Sequence, residues 1–344
     1  MDKTNAAPVI AKSNAPAQPA IVPAPKVASV KPARPALLDG DIIKAARAAI
    51  EKGDMEAVSR AYEFFLAYIK EHPENIDEYV AAFSNEANEH ILRALTRAMA
   101  DAEAGLLENE KVMKSAVELA KDTSFEQRQH IMLHLMSQFP QMNEEAHQAL
   151  LELSRNDPNS QVKTSAVAAL ADWMDKFPEQ TGPLLGQLGE IFKNTKDEDV
   201  RVFAYQVLAL HKESLTRDLQ VVLGERLKLE TESFNGNLIA AALSIAPDDI
   251  RLEAINYVQS RFGKEKDEET RRNLLAQIVA LGRQDSLPLL TTCSKGDSLL
   301  AQDARDYIAL VSSNQPYDVE QIFQQKSVRD GQNPPKEVDP APHP

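Results

Sequence analysis

The sequence predicts an all-α chain, a right-handed solenoid of about seven or eight antiparallel helix pairs with disordered termini. Three observations predict it. Apolar or small residues recur at offsets of four, seven and eight, which is one face of a helix. The pattern returns every 30 to 38 residues, starting at Ala57, Leu92, Gln127, Val162, Val200, Leu238, Thr270 and Leu300. Period-two alternation of β-branched residues, the mark of strands, is absent over any useful length.

Taken in order, residues 1–38 come first as a Pro/Ala-rich tail. From 1 to 36 there are seven prolines, ten alanines and no aromatic residue, too little apolar surface to offset the entropy of ordering. Lys3, Lys12, Lys26, Lys31 and Arg34 against Asp2 give it a charge of +4, and the remainder of the chain carries −18. Such a tail is a solvated spacer or a short basic recognition segment. Residues 39–86 form an N-terminal aromatic-rich cap, where six of 19 aromatics fall within 22 residues. Val58, Tyr62, Phe65 and Ile69 make one helical stripe, and Phe64 and Tyr68 extend it round the helix. That second face is either wrapped by the helices beside it or meets another chain, including a second copy of this one.

Residues 87–313 hold the regular copies. Val162, Ala166, Ala169 and Leu170 lie over Val200, Ala204, Val207 and Leu208, and then over Leu300, Ala304, Tyr307 and Ile308. A small residue at the fifth place lets a crossing helix approach closely. Between copies, amphipathic runs such as Leu184, Leu188, Ile191 and Phe192 supply the other helix of each pair, so the copies mark the second helix. Helix starts are expected at Asp157-Pro158, at Thr123 with Glu126 as a capping box, at Asp267, and at Asp248 and Asp297. The steps of 35, then 38 and 38, then 32 and 30 predict longer units in the middle of the array. Residues 314–327 read as a short capping helix through Val319, Ile322 and Phe323, and 328–344 as a second disordered tail.

The turn aspartate, the apolar residue followed by arginine, and the spaced alanine in Asp197, Glu198, Asp199, Val200, Arg201, Val202, Phe203 and Ala204 resemble the HEAT-repeat superfamily, including its phycobilisome-lyase-type short repeats. The likeness covers residues 90 to 312. It implies an armadillo-like fold and, for function, a scaffold or adaptor that binds protein partners on its inner surface. An accessory or lyase-like factor acting on a cofactor-bearing protein is the alternative. The HEAT-like deoxyhypusine hydroxylases present His-Glu dipeptides to two metals, and no His-Glu dipeptide occurs in this chain. HEAT-like DNA glycosylases need a cationic face, against which a body charge of −18 argues.

The other motifs exclude more than they assign. His130 and His134 have metal-ligand spacing, but Ile131 stands where a His-Glu-x-x-His motif needs its glutamate. No metal, cofactor or catalytic residue is expected. One cysteine, Cys293, excludes an internal disulfide. The longest apolar run, Leu238 to Ala246, is far short of the ~20 residues that span a bilayer, and no secretion signal is visible at Met1, so the expected location is the cytoplasm. The most pointed surface feature is the second position of the repeat, which is basic at Arg93, Arg128, Lys163, Arg201 and Arg271. Stacked at one register, these five either pair with Asp122, Asp157, Asp197, Asp199 or Asp267 as a structural ladder or form a ridge for an acidic segment of a protein partner. With Phe64 and Tyr68 they are the candidate partner-binding residues.

Overall fold

The computed structural model describes residues 36–102, 105–313 and 322–323, and these are helical, with no β-strand among them. The elements are α1 (Ala36–Asp39), α2 (Asp41–Ile50), α3 (Glu56–Glu71), α4 (Ile76–Asn85), α5 (Glu89–Asp101), α6 (Glu110–Ala120), α7 (Glu126–Ser137), α8 (Glu144–Asn156) and α9 (Ser160–Lys176). They continue as α10 (Thr181–Asn194), α11 (Glu198–Leu210), α12 (Arg217–Leu227), α13 (Ser233–Leu243), α14 (Asp248–Lys264), α15 (Glu268–Gly282), α16 (Leu287–Cys293) and α17 (Leu299–Ser312). The expected tail at 328–344, nearly all of that at 1–38, and all of the expected capping helix but Ile322 and Phe323 lie outside the described residues.

Two rows of helices account for the packing. Each odd-numbered helix from α3 to α17 contacts the next odd one, and the even helices from α4 to α14 do the same. Within a pair the even helix precedes and packs on the odd one, as in α6 with α7, α8 with α9 and α14 with α15. The recurring apolar face therefore belongs to the second helix of each pair, and it is buried between the rows. One continuous core results, running from Leu37 to Ile322. Leu37 and Leu38 belong to that core, so the helical body takes in the last residues assigned by composition to the tail. Ile322 is buried at the other end, and its carbonyl accepts from the Tyr307 hydroxyl at 3.4 Å.

Burial corrects the repeat register at two copies. In α7 the face buried at all four offsets is Gln129, Leu133, Met136 and Ser137, beside buried Ile131, Met132 and Leu135, whereas Gln127 and His134 face out. In α13 it is Asn235, Ile239, Ala242 and Leu243, because the register begun at Leu238 runs past the helix end to exposed Ile245. Both errors have one cause: a polar side chain fills the core position and hides it from an apolar count. Gln129 Nε2 donates to the Ala120 carbonyl at 3.0 Å, and Asn235 Nδ2 to Glu230 Oε2 at 3.1 Å, so each is satisfied inside. Starting from Gln129 and Asn235, the steps become 35, 37, 33, 38, 35, 35 and 30. The expected lengthening in the middle disappears, and the short last step remains.

Helix starts are set by side-chain caps, some displaced from those expected. Asp267 caps α15 by accepting from the Thr270 N–H at 2.8 Å, as its sequence context suggests. At α9 the cap is Asn159, which accepts from Gln161 and Val162. Asp157 is buried instead, holding the Asn159 N–H at 2.8 Å and lying 3.5 Å from Gln129 Nε2. Thr123 and Glu126 form no capping box, since Phe125 occupies the cap of α7. At α14 Pro247 takes the cap and Asp248 is the first helical residue, while α17 is capped by Ser298 rather than Asp297.

Cross-layer polar ties fix neighbours in place. Arg47 pairs with buried Glu86, its Nε at 3.2 Å from Oε2, and joins α2 to the turn before α5. Fully buried Trp173 donates from Nε1 to the Met136 carbonyl at 3.1 Å. Near the C-terminal end Arg272 and Asp303, 2% and 1% exposed, meet at 2.6 Å between α15 and α17. Glu269 adds a second carboxylate 2.9 Å from Arg272 Nη1.

Candidate binding cleft

The odd-numbered row carries a cleft of about 620 Å³ across four consecutive layers, α5, α7, α9 and α11. Its wall begins at Arg93 of α5, crosses His130, His134 and Ser137 of α7, then Thr164, Ser165 and Asp172 of α9, and ends at Asp199 of α11. Equivalent turns of stacked helices supply these side chains, so the cleft follows from the repeat. Arg93 and Thr164 are the residues one and two places past the buried first position of their helices, and Asp199 is one place before it.

Three features decide its chemistry. Arg93, Asp172 and Asp199 are exposed. Among the described residues the Arg93 guanidinium makes no hydrogen bond or ion pair, whereas Asp199 Oδ2 accepts from Ser160 at 3.2 Å. Between them, His130 Nδ1 lies 2.8 Å from Ser165 Oγ and His130 Nε2 lies 3.6 Å from Glu126 Oε1. That order of carboxylate, imidazole and hydroxyl is the order of a nucleophilic triad. The backbone around Ser165 does not complete one. Ser165 lies inside α9, where the N–H groups are spent on carbonyls four residues back, so no free pair faces its oxygen to stabilise an oxyanion. The arrangement instead locks His130 and Ser165 into the cleft wall. Among the described residues no group of three His, Cys, Asp or Glu side chains converges as metal ligands would.

The candidate basic residues do not form one row. Once Gln129 is the first position of its copy, the second position of α7 is His130, and Arg128 lies one place before the stripe, outside the cleft lining. Arg128 is used structurally: Nη2 donates to the Glu86 carbonyl at 3.2 Å, Nη1 is 3.8 Å from Asp122, and the guanidinium sits 4.9 Å over the Phe125 ring. Lys163 pairs across the layer with Asp197 at 3.6 Å, and Arg271 sits 4.7 Å over Phe262. Arg201 is half-buried within electrostatic reach of Tyr205. Burial alone would raise Asp197, but the Ser160 hydroxyl, the Val200 N–H and Lys163 together hold it below the ordinary carboxylate value.

Phe64 and Tyr68, on α3, are not part of the cleft lining. Both are half-buried, and the Phe64 ring stands 5.7 Å from Phe65 and beside Gly40. Tyr68 donates to Glu78 Oε2 at 2.8 Å, and Glu78 also receives the Leu37 N–H at 2.6 Å. Helices α1, α2 and α4 thus cover part of the aromatic surface. His134, Ser165 and Asp172 were not legible as site residues, since nothing in one helix's sequence shows which side chains of three others stand beside it. His130 had a signal, its place after a polar core residue.

No protein-family model matches the chain, and no curated protein sequence matches it. Among solved structures, the X-ray structure of the Escherichia coli protein YibA is similar over 71% of this chain and 95% of that one, at 18% identity and a TM-score of 0.39. A likeness that loose carries no conclusion about fold or role.

Proposed function

We propose that the chain is a right-handed α-solenoid of the HEAT type and a non-enzymatic adaptor that holds a protein partner along the exposed face of its odd-numbered helices. The two self-contacting rows support the solenoid, because a layer that touches only its neighbours is the unit of such an array. The single observation that carries the adaptor reading is the cleft. Four layers contribute polar side chains to one continuous surface, and its Ser165 lacks the backbone donors that acyl transfer needs. A surface that spans layers suits an extended partner lying across the helices. An acidic segment of that partner would be held through Arg93.

The test is co-purification with full-length protein as bait, comparing wild type with Arg93→Glu and with an even-row control, Arg217→Glu, whose native partner is Asp249. The expected result is a partner kept by wild type and the control and lost by the cleft variant at unchanged helicity. Retention by all three would refute this reading.

A further inference from the structure

The cleft has an electrical direction. Its cationic end is Arg93 on α5, exposed and without a side-chain partner among the described residues. Its anionic end is Asp199 on α11, exposed and held at Ser160 of α9, while exposed Asp172 lies twelve residues beyond Ser160, about 18 Å further along α9. The middle is occupied by His130, engaged with Ser165 and Glu126, and by the exposed side chain of His134. Of the two cations on α9, Lys163 is drawn off by Asp197 at 3.6 Å, and Lys176 donates to the Gln138 carbonyl at 2.7 Å within electrostatic reach of Asp172; neither is in the lining. A uniformly acidic ligand would meet Asp199, and a uniformly basic one would meet Arg93. Like charges brought together across an interface are penalised strongly enough to select against both.

We infer that the occupant of this cleft is an extended peptide segment bearing one carboxylate and one cationic side chain, the carboxylate over Arg93 and the cation over Asp199. Packed helices stand about 8–10 Å apart, so the three steps from α5 to α11 separate the ends by about 24–30 Å. An extended chain advances about 3.3 Å per residue, which sets the two charges about seven to nine residues apart. Side-chain hydroxyls at Ser137, Thr164 and Ser165 line the path between. Ser165 and Ser137 are already bonded to neighbours, so the middle of the segment is read by shape and the ends by charge. This rests on the adaptor reading above and adds the chemistry of the partner to it.

The test uses fluorescently labelled, otherwise serine- and alanine-based peptides with two charged residues about seven apart: one acidic and one basic, both acidic, or both basic. Anisotropy at low salt gives the affinity order for full-length wild type, Arg93→Glu and Asp199→Lys. All replaced side chains are exposed, and circular dichroism checks the fold. The expected result is that wild type favours the mixed peptide by about tenfold or more, that Arg93→Glu favours the all-basic one, and that Asp199→Lys favours the all-acidic one. An affinity order that the substitutions leave unchanged overturns the inference, as does a wild type that binds none of the peptides. The co-purified partner separates the two claims. Its loss with both variants alongside an unchanged peptide order means the cleft is an interface with different chemistry, while its retention by both removes the adaptor reading as well.

Discussion

At the scale of single residues, buried polar groups fix the register, and this is where an apolar count fails. Gln129 fills a core position and ties α7 to the end of α6 through the Ala120 carbonyl at 3.0 Å. Gln129→Leu makes the copy look more regular in sequence, yet it strands that carbonyl and removes a neighbour of Asp157. We expect it to destabilise the fold by about 1–3 kcal/mol, read as a lower urea midpoint at unchanged slope. The Arg272 and Asp303 pair makes the same point with charges. Asp303→Ala removes the carboxylate 2.6 Å from a guanidinium that is 2% exposed, and a loss of about 3–5 kcal/mol is expected in chemical denaturation. Replacing both by Met and Leu should cost much less, since apolar residues of similar volume substitute well for a buried ion pair.

At the scale of elements, the helix type and the pairing were legible because 3.6-residue periodicity reports a buried face directly, as in Val162, Ala166, Ala169 and Leu170. Helix starts were legible only where one candidate cap stood alone, as at Asp267. Where Asp157, Asn159 and Ser160 compete within four residues, the choice is made by the neighbouring layer: Asp157 lies beside Gln129 and is buried, and Asn159 takes the cap. Caps also set the acid response. The cap carboxyls of Asp197 and Asp267, and that of Asp122 bonded to Ser124 in the turn before α7, are held below their ordinary value of 3.8. A lowered folded-state value stabilises the fold at pH above the unfolded value, and that contribution is lost as pH falls through the folded one. Melting temperature should therefore drop between about pH 5 and about pH 2. Asp197→Asn keeps a competent cap but no titrating charge, so its melting curve should fall less steeply over that interval. A drop as steep as that of wild type would assign the acid sensitivity to other groups.

At the scale of the molecule, the architecture follows from each layer burying its stripe against the next, and an all-helical array was readable from spacing alone. The cleft was not. Arg93, His130, Asp172 and Asp199 are up to about a hundred residues apart in sequence and become neighbours only through stacking. A two-residue error at Gln127 was enough to put Arg128 in a row to which His130 belongs. The central claim is that this multilayer face holds a protein partner through separated charges at its two ends. Calorimetric affinity of the co-purified partner for wild type and for Arg93→Glu plus Asp199→Lys tests it most directly. The account predicts a loss of about ten- to a hundredfold at unchanged melting temperature, and equal affinities for the two proteins would contradict it.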